Sequence, residues 1–372
     1  MKNRIYFPNL NGIRAIGCLF VFLAHAFAYL NFREIKNPIE AFAYNQFLSG
    51  AGPMGVSLFF VLSGFLISYL LLSEKKETKS INLKTFYARR VLRIWPMFFL
   101  VVIACFFVLP FFSGGISYLG IKGHLPSYVL FINNFDRIKS GFTGFGNDSL
   151  GVLWSVAIEE QFYIIWPLLL LLLPKKLIFP LLLLIISSSA LFRFSFRNNS
   201  EILLYHTFSV MGDLATGAIV AYLTIFSSVF RNIFQQPKIL FSISIIITVF
   251  LAIYFHNFLL SSGNTAAYGR LLMSLAFGIF IAWQVNTTAN GWSLSKINFL
   301  GKFGTITYGF YCLHMFVIMA IQKANLSFAI PHSSLTFYVE LIITFIITTF
   351  ISLVSYRYFE GFFLRKKMKF EQ

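Results

Sequence analysis

Apolar runs long enough to cross a bilayer recur along almost the whole chain, and no other feature constrains the fold as tightly. A spanning helix needs about 20 mostly apolar residues. Ten such runs are read at about 11–31, 54–72, 92–112, 151–173, 177–195, 202–226, 239–257, 268–286, 299–321 and 335–358. Only 12% of the 372 residues are charged, against about 25% in soluble domains. Lipid offers the backbone no hydrogen-bonding partner, and continuous apolar runs of this length satisfy it as helices. The expected fold is all-α: a polytopic membrane bundle of about ten transmembrane helices, forming one domain over 1–372 with no separate soluble domain. The longest interruption, 113–150, is rich in Gly, Ser and Asn and reads as a loop.

The net charge of +17 would point to nucleic acid in a soluble chain. Here the location of the charges gives another reason. With a cytoplasmic N-terminus, 20 of the 30 Lys and Arg fall in inside segments and nine outside, while Arg14 lies within the first run. That asymmetry is the positive-inside signature. It predicts a multi-pass protein of the cell membrane with both termini cytoplasmic, the lipid bilayer as partner and no nucleic acid. The three cysteines, Cys18, Cys105 and Cys312, lie in apolar runs and read as buried core residues, not disulfides. The first run, with "AHAFA" near its end, mimics a cleaved signal peptide. It begins only near Arg14 and many runs follow, so a retained helix is expected.

Polar residues inside these runs need a reason, because a charge at a helix centre costs about 2.5–3.5 kcal/mol on insertion scales. In "NGIRAIGCLFVFLAH", Arg14 and His25 are eleven residues apart. Eleven residues are close to three turns, so both lie on one face, about 16 Å apart along the axis. Each alone is explained by snorkelling or a neighbouring helix; together they favour function. "FYARRVLRIWP" sets Arg89, Arg90 and Arg93 at the cytoplasmic start of the third run. Arginine's planar fork suits phosphate, although a basic cluster also anchors to anionic lipid. "LWSVAIEEQFYIIWP" buries Glu159 and Glu160. Neighbours on a helix diverge by about 100°, so the two do not share one site. Glu159 shares a face with Tyr163 at about the depth of His25, where a carboxylate can orient an imidazole. His314 in "YGFYCLH" and Asp213 in "MGDLATG" read as interhelical hydrogen-bonding groups or as parts of a site. "GAGPMGVSLFFVLSGFL" supplies Ser63 and Gly64, for helix packing first and cavity lining second. No metal site is expected.

These stretches, in this order, resemble the acyltransferase 3 family of integral membrane acyltransferases. The resemblance spans most of the chain. It implies about ten transmembrane helices and transfer of an acyl group, often acetyl from acetyl-CoA, to hydroxyls of carbohydrates, peptidoglycan, lipids or small molecules. It places the family's first-helix arginine and histidine on Arg14 and His25, its arginine pair on Arg90 and Arg93, and its glutamate on Glu159. Val152 stands where the family often has a histidine before Leu-Trp-Ser.

Residues and resemblance together lead to one expectation. Arg89, Arg90 and Arg93, with Arg14, hold the phosphates of acyl-CoA as donor substrate, with no permanently bound cofactor. His25 acts as general base, or as transient acyl carrier, with Glu159 orienting it. Tyr163, Glu160, Asp213 and His314 support or bind substrate. The 113–150 loop forms a lid over an acceptor hydroxyl of a glycan or lipid-linked saccharide, and glycan-biosynthesis partners are expected. The rival reading is a transporter or flippase of a glycan-export system, since intramembrane His, Glu and Asp also mark proton relays. No inverted repeat supports it.

Overall fold

The computed structural model describes residues 7–30, 38–112, 122–142, 149–235, 239–260, 263–287, 292–328 and 333–368. Every regular element among them is helical. The main helices are α1 (Asn9–Tyr29), α2 (Ala51–Thr78), α3 (Leu83–Ile103), α4 (Asn133–Ser140), α5 (Trp154–Leu172), α6 (Lys175–Ser195), α7 (Thr207–Phe226), α8 (Ser228–Gln235), α9 (Ile239–Tyr254), α10 (Gly269–Asn286), α11 (Asn298–Phe328), α12 (Ser334–Val354) and α13 (Gly361–Met368). Among the described residues nine helical spans are long and apolar enough to cross a membrane, and the bent pair α8–α9 makes a tenth.

Three departures from the expected runs have local causes. The third helix begins at Leu83, where the Asn82 side chain accepts the Thr85 N–H at 3.0 Å. This cap satisfies an orphan donor of the first turn. Arg89, Arg90 and Arg93 therefore lie within α3, not at its start. The sixth run breaks at His206, whose backbone is extended (φ −79°, ψ 131°). Ahead of the seventh run, which forms α9, the structure adds a helix that the sequence reading left out: α8 meets α9 at 97°. Arg231 of α8 donates to the carbonyls of Thr224 (2.9 Å) and Ile225 (3.2 Å), which end α7. At the far end of α9, Gln46 donates to the Tyr254 carbonyl at 2.7 Å, just before α2 begins.

Small residues set the core. A Cβ on Gly64 would lie 2.0 Å from the Leu214 carbonyl oxygen, and one on Gly217 would lie 1.9 Å from that of Val61. α2 and α7 thus cross backbone against backbone, which only glycine permits. They run parallel: further along, Lys76 sits 5.9 Å from the Phe226 ring centre. In the same way a Cβ on Gly55 would meet the Gly17 carbonyl oxygen at 2.6 Å, and one on Gly304 that of Asn11 at 2.0 Å. α1 is therefore clamped between α2 and α11. The spans containing α2 and α7 bury 72% of their apolar windows, those of α6 and α12 only 22% and 28%. The first pair forms the interior and the second faces lipid. All three cysteines are buried and unpaired with one another.

Part of the 113–150 loop is a docked helix, α4. Asn134 of α4 is fully buried; it donates to the Tyr205 carbonyl and to Thr207 Oγ1, both at 3.1 Å, and accepts from Gln161 at 2.9 Å. These bonds fasten α4 to α5 and to the chain entering α7. Residues 113–121 and 143–148 of the same loop lie outside the described residues.

Candidate active site

Two neighbouring cavities occupy the middle of the bundle. One is lined by Arg14, Arg90, Arg93, Ser63, Glu159 and Tyr163, among others. The other is lined by His25, Arg137, Val152, Trp154 and Tyr205, among others. Val56 and Tyr311 line both, so these two side chains form the wall between them. The Tyr311 hydroxyl is held in place: it donates to the Val152 carbonyl at 2.8 Å and accepts from Ser155 Oγ at 2.7 Å.

The in-phase spacing on α1 has the expected consequence, since one helix face delivers Arg14 to the first cavity and His25 to the second. α3 adds Arg90 and Arg93, which are three apart and share a face. Arg90 lies 5.8 Å from the Tyr163 ring centre. Arg89 does not line this cavity. Its side chain diverges by about 100° from that of Arg90.

His25 has a partner that the sequence did not assign to it. Its Nδ1 lies 2.9 Å from Nε2 of His314 on α11. His314 is 1% exposed, and its Nδ1 lies 2.7 Å from the Tyr311 carbonyl and 3.2 Å from that of Phe310. Carbonyls only accept, so Nδ1 of His314 carries the proton. Its Nε2 then accepts, and Nδ1–H of His25 donates to it. The lone pair of His25 is thereby placed on Nε2.

Glu159 was expected to hold His25, and the structure overturns that pairing. Glu159 accepts from Ser63 Oγ at 2.6 Å and from the Tyr163 hydroxyl at 3.0 Å, within the arginine cavity. Equal depth in neighbouring helices did not put the two on facing sides. Ser63 thus serves the cavity while Gly64, one residue on, serves packing. Glu160 points elsewhere, as adjacent positions require, and accepts from Trp95 Nε1 at 3.0 Å. Asp213 belongs to neither cavity. It accepts from Arg270 Nε at 2.9 Å, and both groups are buried. Arg193, also buried, donates to the Leu203 carbonyl at 2.8 Å close by. This cluster ties α6, α7 and α10 together, and Asp213 is best read as structural.

Tyr308, Tyr311 and His314 recur at intervals of three along α11, a signal present in "YGFYCLH" of which only the histidine was read. Arg137 carried no local signal; folding alone brings α4 to the His25 cavity. Val152, the departure from the family pattern, lines that same cavity.

Fold and site define a polytopic helical membrane protein with two adjoining cavities at its centre, one entered by arginines and the other by a histidine. The chain belongs to the acyltransferase 3 family, whose profile, described as an acyltransferase domain, matches residues 7–357. It is 30% identical, over 97% of its length and 58% of the relative's, to the peptidoglycan O-acetyltransferase OatA of Listeria monocytogenes. It is 28% identical, over 98% of its length and 58% of the relative's, to the O-acetyltransferase OatA of Staphylococcus aureus. A putative O-acetyltransferase of Staphylococcus aureus is also 28% identical, over 99% of this chain and 59% of that one. The chain thus spans somewhat under three fifths of the length of these relatives. No solved structure matches it.

Proposed function

We propose that this chain is a membrane O-acetyltransferase that takes an acetyl group from acetyl-CoA and passes it to a hydroxyl of cell-wall glycan. The observation that carries this reading is the adjacency of the cavities: three guanidinium groups on one side of Val56 and Tyr311, and on the other His25, backed by His314. Cationic forks in a partly dry cavity suit the phosphates of a CoA thioester. The buried Nε of Arg90 has no hydrogen-bond partner among the described residues, which fits an anion that belongs there. The chain's likeness to O-acetyltransferases, the Listeria one a peptidoglycan O-acetyltransferase, supports acetyl as the group and cell-wall glycan as the acceptor.

In this reading Arg14, Arg90 and Arg93 hold the donor, and Glu159 keeps Ser63 and Tyr163 in the wall beside it. His25 Nε2 takes the proton of the acceptor hydroxyl as its oxygen attacks the thioester carbonyl. The C–S bond breaks, the C–O bond forms, and the imidazolium returns the proton to the leaving thiolate. His314 holds His25 in the tautomer that this step needs. A neutral imidazole here does the positioning that a carboxylate does in a Ser-His-Asp triad. The excess of basic residues on the segments at the Arg14 end supports placing that end in the cytoplasm, where acyl-CoA is found.

The test uses inside-out vesicles containing the protein and acetyl-labelled acetyl-CoA. Label should reach glycan with the wild type and not with His25→Ala, while the variant still binds acetyl-CoA. Equal labelling by both would remove His25 from the chemistry. No labelling by the wild type would overturn the enzyme reading in favour of transport.

A further inference from the structure

We infer that the His25 cavity is the acceptor subsite, and that Arg137, Tyr205 and Trp154 form its recognition wall for a saccharide unit. The inference rests on the acyltransferase reading above and extends it to the group that receives the acyl chain. The His25 cavity is chemically distinct from its neighbour. The cavity beyond Tyr311 collects three arginines and suits a polyanion, whereas this one has a single arginine set among aromatic rings. Trp154 and Tyr205 meet at a ring-centre distance of 4.9 Å and an interplanar angle of 84°, forming an aromatic corner. The Arg137 guanidinium lies 4.3 Å from the Tyr205 ring centre, and its Nη1 donates to the Gly151 carbonyl at 3.2 Å. A sugar has an apolar C–H face that lies against an aromatic ring and an edge of hydroxyl, amide or carboxyl oxygens that a guanidinium binds in a fork. This wall offers both surfaces.

Two further observations point the same way. Arg137 sits on α4, which the buried Asn134 fastens to α5 and to the chain entering α7. The guanidinium is therefore delivered by a fixed element, as positioning an acceptor requires. Val152 adds an apolar side chain to this cavity where the family often carries a histidine.

The experiment uses the purified full chain in lipid nanodiscs with acetyl-CoA and soluble glycan strands free of O-acetyl groups. Arg137→Gln and Tyr205→Leu are each compared with the wild type. The expected result is an acceptor KM raised tenfold or more with the acetyl-CoA Kd unchanged, since the donor cavity lies beyond Tyr311. The intact donor Kd also shows that the variant is folded. An unchanged acceptor KM overturns the inference, and so does a parallel loss of acetyl-CoA binding, which would make Arg137 a structural residue. If the wild type transfers nothing, the acetyltransferase reading fails. Calorimetric titration with the same strands then still reads the subsite: wild-type binding that both substitutions leave intact overturns it.

Discussion

His25 Nδ1 lies 2.9 Å from His314 Nε2, and the far nitrogen of His314 is held by backbone carbonyls. This chain of bonds fixes the tautomers of both rings. Replacing His314 by Phe removes the acceptor and should lower kcat by about 10²-fold, within the range that general-base catalysis supplies. His314→Gln keeps an acceptor near the Nε2 position and should retain more activity than His314→Phe. Steady-state kinetics on the two variants, with acetyl-CoA binding as the folding control, decides it. Equal losses would reduce His314 to packing.

The arginines should separate by their placement. Arg90→Ala and Arg93→Ala each remove a cavity-lining cation and should weaken acetyl-CoA binding about 10- to 100-fold, as loss of a charge-assisted bond of about 1.5–3 kcal/mol implies. Arg89→Ala, outside that lining, should change it far less. Equilibrium binding of acetyl-CoA to the three variants checks this, and equal effects would point to a diffuse electrostatic role.

Glu159 holds Ser63 and Tyr163, not His25. Glu159→Gln should therefore move the KM for acetyl-CoA while the pH dependence of kcat keeps the wild-type shape. A shifted limb of that profile would restore the coupling to His25 that the geometry denies.

The crossing of α2 and α7 has no room for a side chain. Gly64→Val and Gly217→Val must push the helices apart, because the first contact on each side is backbone oxygen at 2.0 and 1.9 Å. Overpacking of this kind costs about 1–3 kcal/mol, occasionally more. Thermal unfolding in detergent should show a lower Tm for both, whereas Gly301→Ala, whose Cβ would meet no neighbouring element within 4 Å among the described residues, should not lower it.

His256 joins the start of α2 to the end of α9. Its Nε2 accepts the Gly50 N–H at 3.0 Å, so it must be neutral there. Burial lowers its pKa from the ordinary 6.5. The unfolded chain therefore takes up the proton first, and this contact's contribution is complete above pH 6.5 and lost as pH falls below it. Thermal unfolding of the wild type against His256→Gln across pH 5–8 should show the wild-type advantage shrinking on the acid side.

The all-helical membrane architecture was legible in the sequence because lipid leaves a spanning backbone only the helix or the closed barrel, and a continuous run of about 20 apolar residues selects the helix. Helical phase did nearly as much for the site. The spacings Arg14–His25, Arg90–Arg93 and Glu159–Tyr163 each put a pair on one face, and in the fold each pair serves the central cavities. Phase along one helix says nothing, however, about which face of a second helix it meets. Rotation and crossing are set by contacts such as Gly64 against Leu214, between residues far apart in the chain. Those contacts gave His25 a histidine partner where a carboxylate was expected, withdrew Arg89 and Asp213 from the site and carried Arg137 to it. The sequence by itself determined the helices and the face each would present. Only tertiary packing decided which faces meet, because that choice depends on the fit of all the helices at once.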